Sequence, residues 1–299
     1  MSTITIDDAH AERVAQVGYT YKAHELVSNC PLCGGSELRS LHNRDRMGFA
    51  AESTFCDTCS FVFLSPRMTA ERYSDFYQHW YRKLVSAHNG CEQTAATLDA
   101  THAKYAAMMA DFIAPFACHP TRKNALDIGG STGIFAHELA SRWGYRCTVL
   151  DPSPDELAIA HRKGFETVEG LVEDFDDARK FDVVSMLQTV DHLLDLPGTL
   201  QKCHRLLSAH GLFVIDFVDW QYQYQRYGVQ QAIKIDHPLY FSPATAFCAL
   251  KRHGFEPLLS ARMDRHLMFV CRPVPPIPGA MPAETSVARA KQELARWLQ

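Results

Sequence analysis

The sequence lacks several features that would each assign it to a particular class of protein. No uninterrupted apolar run approaches the roughly 20 residues that a membrane span needs, and the polar residues 1–8 do not have the pattern of a signal peptide. The formal net charge of the 299 residues is only -4, which argues against a broad nucleic-acid-binding surface. No internal repeat is evident. We therefore expect a cytoplasmic globular chain that has no membrane span and whose partner is not a nucleic acid.

Cysteine is abundant by comparison, with ten residues in the chain. A short secreted chain would use so many in disulfides, but this chain is long and has no recognisable export signal. Four of them form two Cys-x-x-Cys pairs, and two such turns complete a closed tetrahedral site for structural zinc. The spacing therefore predicts Zn2+ bound by Cys30, Cys33, Cys56 and Cys59, with redox use of one pair as the alternative. We expect the other six to be small buried apolar residues: Cys91, Cys118, Cys147, Cys203, Cys248 and Cys271.

A glycine-rich turn follows the apolar segment at 124–128 and precedes residues 134–140, which have helical apolar spacing. Such a strand, turn and helix brings backbone N–H groups and a helix N-terminus close to a ligand, which suits an anion or the carboxylate of a zwitterion. No Gly-Lys-Ser/Thr follows, so a phosphate-binding loop is disfavoured. A second apolar segment ends at Asp151, roughly 20 residues further on, where a doubly wound domain binds both ribose hydroxyls.

These two segments resemble the class I S-adenosyl-L-methionine (SAM)-dependent methyltransferases, whose first motif is hydrophobic-Asp-hydrophobic-Gly-x-Gly-x-Gly. Asp127, Gly129 and Gly133 match that motif, whereas Ser131 occupies the usual central glycine and leaves less room for the backbone to approach the ligand. The resemblance implies an α/β fold with a doubly wound, seven-stranded Rossmann-like methyltransferase sheet. The strands that we expect are 124–128, 146–150, 166–169, 181–187, 211–217, 257–263 and 266–272.

The resemblance also implies how SAM is bound. Asp127 and the backbone of 129–133 would hold the methionine end, Asp151 the ribose, and residues 171–173 the adenine. Acids after the third strand have an alternative role, because Glu173 and Asp174 would also suit the start of a helix. The predicted cofactor-binding set is Asp127, Gly129, Gly130, Ser131, Gly133, Asp151, Pro152, Leu171, Val172, Glu173 and Gln188.

The fourth strand ends in Asp191-His192-Leu193, which resembles the Glu-His-Leu ending of the family. Because open α/β sheets bind ligands beyond the carboxyl ends of their strands, we expect Gln188, Asp191 and His192 near the transferred methyl group. His192 is the candidate general base for a hydroxyl acceptor. The alternative is structural, with Asp191 as a helix N-cap and His192 making local hydrogen bonds.

Residues 218–242 are predicted to form a lid over the acceptor, because aromatic residues alternate there with amides. His237 and Tyr240 are further catalytic candidates in this lid, and the alternative is that both pack it onto the sheet. An aromatic helix is expected to begin at Thr69, and its Tyr77 or Tyr81 could line a substrate or cofactor pocket. Residues 82–100 are expected to be a loop or hinge.

The chain thus divides into several predicted parts. These are an N-terminal arm (1–25), a zinc-ribbon-like domain (26–68), a helical linker (69–115), the methyltransferase domain (116–272), and a Pro-rich linker with a C-terminal helix (273–299). We expect that last helix, at residues 283–298, to dock on the body or to mediate an oligomer.

The combination resembles bacterial methyltransferases of sugar, O-antigen and natural-product pathways, which implies a small-molecule acceptor. Two alternatives stay open. One is an RNA methyltransferase with a zinc module, which clustering of Arg39, Arg44, Arg46 and Arg67 on one face would favour. The other is a SAM-binding, non-catalytic subunit that docks a partner.

Overall fold

The structure is a computed structural model that describes residues 8–117 and 124–297. The predictions for Cys118, for residues 1–7 of the arm and for Leu298 at the end of the last helix lie outside the described residues. Among the described helices, none combines the length and the apolar character that crossing a membrane requires.

Eleven strands are found in the described part of the chain. They are β1 (Leu38–His42), β2 (Ser53–Cys56), β3 (Val62–Leu64), β4 (Asn124–Ile128), β5 (Arg146–Asp151), β6 (Glu166–Glu169), β7 (Phe181–Met186), β8 (Leu207–Val218), β9 (Leu239–Tyr240), β10 (Phe255–Met263) and β11 (His266–Pro273). The helices are α1 (Asp8–Gln16), α2 (Ala70–Asp75), α3 (Tyr81–Asn89), α4 (Ala95–Ala117), α5 (Ile134–Trp143), α6 (Pro154–Arg162), α7 (Leu196–Leu206), α8 (Trp220–Tyr227), α9 (Val229–Ala232), α10 (Pro243–Arg252) and α11 (Glu284–Trp297). A π-helical turn, Phe76–Trp80, joins α2 to α3, and a 3-10 turn, Val190–His192, follows β7.

The larger sheet has seven strands in the order β10-β11-β8-β7-β4-β5-β6. Strands β4 to β8 pair in parallel, and β11 runs antiparallel between β10 and β8. The predicted seven-stranded methyltransferase sheet is therefore confirmed. Its central strands are apolar runs because helices cover both faces: Leu126, Val184 and Ile215 pack on one side, and Val149 and Val214 on the other.

A smaller sheet of order β1-β2-β3-β9 carries the four paired cysteines at its turns. Its fourth strand comes from the segment predicted as a lid: Val62 of β3 faces Tyr240 of β9 in an antiparallel pair. Ring contacts continue this junction into the large sheet, because Phe241 lies 5.1 Å from Phe61 and 4.7 Å from Phe217 between ring centroids. Residues 239–241 are thus built into the junction of the two sheets.

The N-terminal third differs from expectation at 82–100, and its arm contains a helix. The arm contains a helix, α1, whose Val14 is buried, and Nε2 of His10 lies 2.7 Å from Nδ1 of His88 on α3. The loop expected at 82–100 is largely helical: α3 runs to Asn89, Gly90 ends it with a φ of +68°, and α4 starts at Ala95. Small polar residues suggested a loop, but burial of side chains such as Leu84 stabilises the helix.

The C-terminal helix α11 packs on the cysteine-containing part of the same chain. Ala290 and Leu294 are buried in an apolar cluster with Val14 and Met47. Lys291 Nζ also lies 3.8 Å from Oδ1 of Asp57, which is in the second Cys-x-x-Cys turn. The apolar stripe of this helix is therefore used within the molecule.

Candidate functional site

The four cysteines of the two Cys-x-x-Cys turns meet at one point. Their sulfur atoms lie within 4.8 Å of one another, with 3.5 Å between Cys30 and Cys59 and 3.7 Å between Cys33 and Cys56. None of the four is in a disulfide. Four thiolates at about 2.3 Å from a zinc ion form a tetrahedron with edges of about 3.8 Å. The donors and their spacing therefore fit a zinc ion.

The glycine-rich turn between β4 and α5 is shaped by close approaches that exclude side chains. Gly129 has a φ of +66°, and a Cβ there would lie 2.2 Å from Oγ1 of Thr189. Gly133 has a φ of +74° and faces the ring of Phe165. Glycine meets both demands, because it alone combines a positive φ with the absence of a Cβ. The turn thereby lies directly against the residues that follow β7.

The side chain of Asp127 packs against this turn. It is buried, its Oδ1 accepts a 2.6 Å hydrogen bond from Ser185 Oγ, and its Oδ2 lies 2.8 Å from the position that a Cβ of Gly130 would take. Burial raises the pKa of Asp127 to about 6. The carboxyl group thus packs beneath the turn and sets the course of its backbone.

Asp151 ends β5 beside the same turn. Its Oδ2 accepts from the backbone N–H of Ser131 at 2.9 Å, its Oδ1 accepts from Ser153 at 2.9 Å, and burial raises its pKa. Pro152 lies between Asp151 and Ser153 in the chain. Asp151 therefore stands at the carboxyl edge of the sheet, as the prediction required, and it stabilises the residue that replaces the central glycine.

Ser131 adopts a φ of +51° at that position. Its hydroxyl donates to the carboxylate of Glu156 on α6, which in turn forms an ion pair with Arg82 on α3. Serine is thereby accommodated by a partner on the next helix, although the backbone conformation favours glycine. Sequence reasoning missed Arg82, because its partner lies 74 positions away in the chain.

The three residues predicted to contact adenine point in different directions. Leu171 is 42% exposed and lines a cavity of about 380 Å³ at the end of β6, together with Val168 and Phe175. Val172 is in the core beneath, and Oε1 of Glu173 accepts a 3.2 Å hydrogen bond from Thr199 on α7. Glu173 and Asp174 start no regular helix. Leu171 is thus the member of the trio that faces open space.

Beyond β7, His192 meets residues from two distant segments. Its Nδ1 lies 2.8 Å from the backbone carbonyl oxygen of Asp236 and 2.5 Å from the hydroxyl of Tyr77. A carbonyl oxygen can only accept, so Nδ1 carries the proton and Nε2 keeps a lone pair. Burial lowers the pKa of His192, which keeps the ring neutral at pH 7. The imidazole is therefore oriented as a proton acceptor.

His237 stacks edge-on against His192, with 4.4 Å between ring centroids. Its Nε2 lies 3.4 Å from Nζ of Lys234, and burial holds its pKa well below the usual range. Burial and the charge of Arg46 lower the pKa of Lys234 to about 7. His237 is thus close to the predicted base, but its ring is buried beside a cation.

The ring of Tyr240 lies 6.4 Å from that of His237 between ring centroids, while its hydroxyl is bonded to the backbone. Its hydroxyl donates to the carbonyl oxygen of Lys234 at 2.8 Å and accepts from the N–H of Lys234 at 2.9 Å. Tyr240 thus fixes the 234–240 turn, which carries the backbone carbonyl of Asp236 that contacts His192.

Donor atoms of His192, Asp236 and His237 lie within 4.8 Å of one another, as in a metal centre. Their surroundings argue for a different use. The ammonium group of Lys234 lies beside His237, and Arg46 is close enough for its charge to lower the pKa of both residues. Because positive charges repel a divalent cation, this set fits proton transfer and ligand binding better than metal binding.

Asp191 does not lie at the surface of the molecule. It is 1% exposed, its Oδ2 accepts from Val218 N–H at 3.2 Å, and burial together with the nearby Asp216 holds its pKa well above the usual range. It is not a helix N-cap either, because Asp195 caps α7 by accepting from Gly198. Asp191 instead ties the 3-10 turn to the end of β8.

Asp216 forms a second polar cluster, which the sequence analysis missed. Its carboxylate accepts from the N–H of Gln188 at 2.5 Å, from His266 Nδ1 at 2.9 Å, and from the Tyr105 hydroxyl. Gln188 has a φ of +51°, so these bonds stabilise a strained backbone at the exit of β7. The position of Asp216 near the carboxyl end of β8 was the signal available in the sequence.

The four arginines considered for RNA binding do not share a surface role. Arg39 pairs with Asp57, while Arg67 is buried, pairs with Glu25 and donates to the carbonyl oxygen of Leu194. Arg44 is exposed, and the charge of Arg46 lowers the pKa values of Lys234 and His237. They form no common basic face.

Comparison with known proteins agrees with this architecture. A family model described as a methyltransferase domain matches residues 101–260. The chain is 30% identical over 96 residues to a ubiquinone biosynthesis O-methyltransferase of Bradyrhizobium diazoefficiens, covering 30% of this chain and 38% of the relative. It is 32% identical over 97 residues to the same-named protein of Methylocella silvestris, covering 29% and 36%. The chain thus spans less than half the length of these curated relatives.

A solved structure shares the fold at low identity. The 1,6-didemethyltoxoflavin-N1-methyltransferase of Burkholderia thailandensis, with 1,6-didemethyltoxoflavin and S-adenosylhomocysteine bound, is 18% identical with a TM-score of 0.51. The match covers 72% of this chain and 96% of that one. With a matched domain that spans more than half of its length and with the seven-stranded sheet described above, this chain belongs to the methyltransferase domain family.

Proposed function

We propose that the protein transfers the methyl group of SAM to a hydroxyl group of a small molecule, such as a sugar, a nucleotide sugar or a natural-product intermediate. The observation that carries this proposal is the oriented, neutral imidazole of His192 beside the glycine-rich turn. The two are adjacent because Thr189 packs on Gly129, and the backbone N–H of His192 donates to the Thr189 carbonyl oxygen at 3.0 Å.

The sulfonium of bound SAM supplies an electrophilic methyl group. The residues of the chain then have to bind SAM and the acceptor, align them, and remove the proton of the acceptor hydroxyl. The turn at 129–133 and Asp151 hold the methionine and ribose portions, and Leu171 packs against the adenine. His192 Nε2 accepts the proton of the acceptor hydroxyl as the oxygen attacks. Tyr77 and the Asp236 carbonyl keep the ring in position, which favours an aligned attack.

The same proposal gives the four cysteines a structural role. A closed set of four thiolates leaves no open coordination position, so zinc would stabilise the small sheet and take no part in the chemistry. We further propose that the chain acts in the cytoplasm as a unit of zinc-binding domain (26–68), helical linker (69–115) and catalytic domain (116–272). The packing of α11 within the chain supports a role for that helix inside the molecule.

Isothermal titration of metal-quantified protein with SAM and with S-adenosylhomocysteine tests the cofactor site. We expect micromolar binding, one zinc per chain, and loss of binding in Asp151→Ala. If zinc-loaded Asp151→Ala bound SAM as tightly as the zinc-loaded wild type, that result would contradict the proposed ribose contact. Absence of binding in the wild type would contradict the methyltransferase proposal.

Transfer from methyl-labelled SAM to hydroxylated acceptors tests the base. His192→Asn should bind SAM normally and lose methyl transfer, whereas His161→Asn, on the exposed surface of α6, should keep it. SAM binding without transfer to any acceptor class would favour the non-catalytic alternative.

A further inference from the structure

Two positive side chains beside the proposed acceptor site lack an anionic partner. The side chain of Arg46 makes no hydrogen bond or ion pair with any residue of the described part, and its Nε is buried. The Lys234 ammonium group has His237 Nε2 as its partner, at 3.4 Å, and comes within ion-pairing distance of no described carboxylate. Removing a cation from water without such a partner costs free energy, so a ligand that supplies one is favoured.

The backbone fixes these two cations near each other. The N–H of Arg46 donates to the carbonyl oxygen of Ile233 at 2.9 Å, and Ile233 directly precedes Lys234. The Arg46 turn is itself rigid, because Oδ1 of Asp45 accepts from Met47 and Phe49, each at 2.9 Å. Tyr240 holds the other side by bonding both backbone groups of Lys234. The backbone segments that carry the two side chains are therefore held next to each other before any ligand binds.

The charges around the pair agree with an anion site. Burial and Arg46 lower the pKa of Lys234, and the opposing charges of Asp236 and Asp191 do not offset this. Two carboxyl groups also face this region. Asp236 lies against His237 on the same turn, and burial raises the pKa of Asp45 to about 7, which weakens its charge. Neither forms an ion pair with Arg46 or Lys234 in the described residues.

We propose that Arg46 and Lys234 bind a phosphate or carboxylate group of the acceptor, so that the enzyme selects anionic small molecules over neutral ones. This inference rests on the proposed function for the reaction at His192, but the anion site itself does not depend on it. A guanidinium group binds two oxygens of a phosphate or carboxylate at once, and a lysine adds a point charge. Lys234 also connects the site to the catalytic group, because it contacts His237, which stacks on His192.

Titration calorimetry with simple anions tests this site on full-length, zinc-loaded protein saturated with S-adenosylhomocysteine. The probes are inorganic phosphate, pyrophosphate and acetate, at constant ionic strength set with chloride. We expect saturable binding of at least one probe, and the strongest probe indicates whether the group is a phosphate or a carboxylate. The affinity should fall about tenfold or more in Arg46→Gln and in Lys234→Gln, since a charge-assisted bond is lost.

Arg44→Gln is the matched control, because Arg44 is exposed in the same turn and donates to the carbonyl oxygen of Gly48 at 3.4 Å. Its anion affinity should be unchanged. Equal affinities in wild type, Arg46→Gln and Lys234→Gln, or no saturable binding of any probe, would overturn the anion site. Affinity for S-adenosylhomocysteine, measured in every variant, reports folding. If the wild-type protein did not bind S-adenosylhomocysteine, that result would count against the proposed function, whether or not the anions bind.

Discussion

The cofactor edge and the acceptor cluster of this protein are built in opposite ways. The proposed methionine and ribose contacts of the cofactor edge come from one continuous stretch, 124–151, in which a strand, a turn, a helix and a second strand follow in order. The acceptor cluster joins Tyr77, His192 and residues 234–240, which lie far apart in the chain and meet where the small sheet joins the large one. A local stretch can be recognised from its pattern, whereas a site assembled from distant segments depends on packing that the pattern does not reveal.

Loss of the metal should separate the two regions most strongly. In Cys56→Ser one of four thiolates is removed, and we expect the small sheet to lose roughly 3 kcal/mol or more of stability. Because β9 pairs with β3, methyl transfer should fall further than SAM binding. The measurements are thermal unfolding, the zinc content, the rate of methyl transfer and the affinity for SAM. Equal losses of binding and transfer would show that the regions do not differ in their dependence on the metal.

His192→Asn should affect the acceptor region alone. Loss of a positioned general base typically lowers the rate by about 10²–10⁴-fold. We expect such a fall in kcat, with the Kd of SAM unchanged because the cofactor edge is untouched. A variant with normal kcat would assign the base to another group, and His237→Gln is the next variant to compare.

Gly129→Ala tests the cofactor edge in the same way. The new Cβ would collide with Thr189, and its φ of +66° costs an alanine roughly 1–2 kcal/mol, so SAM affinity should fall about tenfold or more. Gly144→Ala is the control, since its φ is +71° but no atom lies within 4 Å of a Cβ there. It should cost similar stability and leave SAM binding unchanged. Similar SAM affinities in both variants would contradict the close approach.

The acceptor region should contribute to the pH dependence of stability. Burial lowers the pKa values of His192 and His237 below 6.5, so the unfolded state binds protons more readily than the folded state. The stability that these two histidines contribute is therefore fully present above pH 6.5 and declines as the pH falls below it. Unfolding followed between pH 5 and 8 measures this decline. His237→Gln should flatten it, and an unchanged slope would exclude His237 as its source.

Tyr240→Phe should have the smallest effect. It removes the hydroxyl that bonds both backbone groups of Lys234, and a lost hydrogen bond of this kind costs about 1 kcal/mol. We expect a small fall in stability and in kcat, with SAM binding preserved. Tyr227→Phe, whose hydroxyl accepts from Arg226 on the surface, provides the comparison. A loss of activity as large as that of His192→Asn would instead make Tyr240 a participant in catalysis.

The large sheet was predictable because its central strands are short apolar runs bounded by glycine and acidic residues. Strand β4 and the turn at Gly129 could be read directly, and the seven strands were found with their ends shifted by a few residues. The cysteine cluster was predictable from spacing, since each Cys-x-x-Cys turn is a local structure. These are the features whose residues interact within one or two turns of the chain.

The remainder depended on long-range packing. No local pattern pairs Arg82 with Glu156, places Arg46 beside Lys234, or joins Tyr105 to Asp216. Helix α3 and the start of α4, which lie in the expected loop at 82–100, were missed for the same reason, because Leu84 and its neighbours are stabilised by contacts with other parts of the chain. Tyr240 was predicted as a catalytic candidate, and its hydroxyl is bonded to backbone groups that only the folded turn brings within reach.

The two-residue strand β9 has a consequence for how such a protein can diversify. Asp236 and His237 lie three and two residues before its first residue, Leu239, and its partner strand belongs to the cysteine-containing sheet. A chimera that exchanged only the N-terminal part for that of a homologue would break this pairing and displace the acceptor side chains, while the cofactor edge stayed intact. Inherited changes of substrate should therefore arise from matched substitutions in both halves of the chain, and shuffling of whole domains would be a poor route to them.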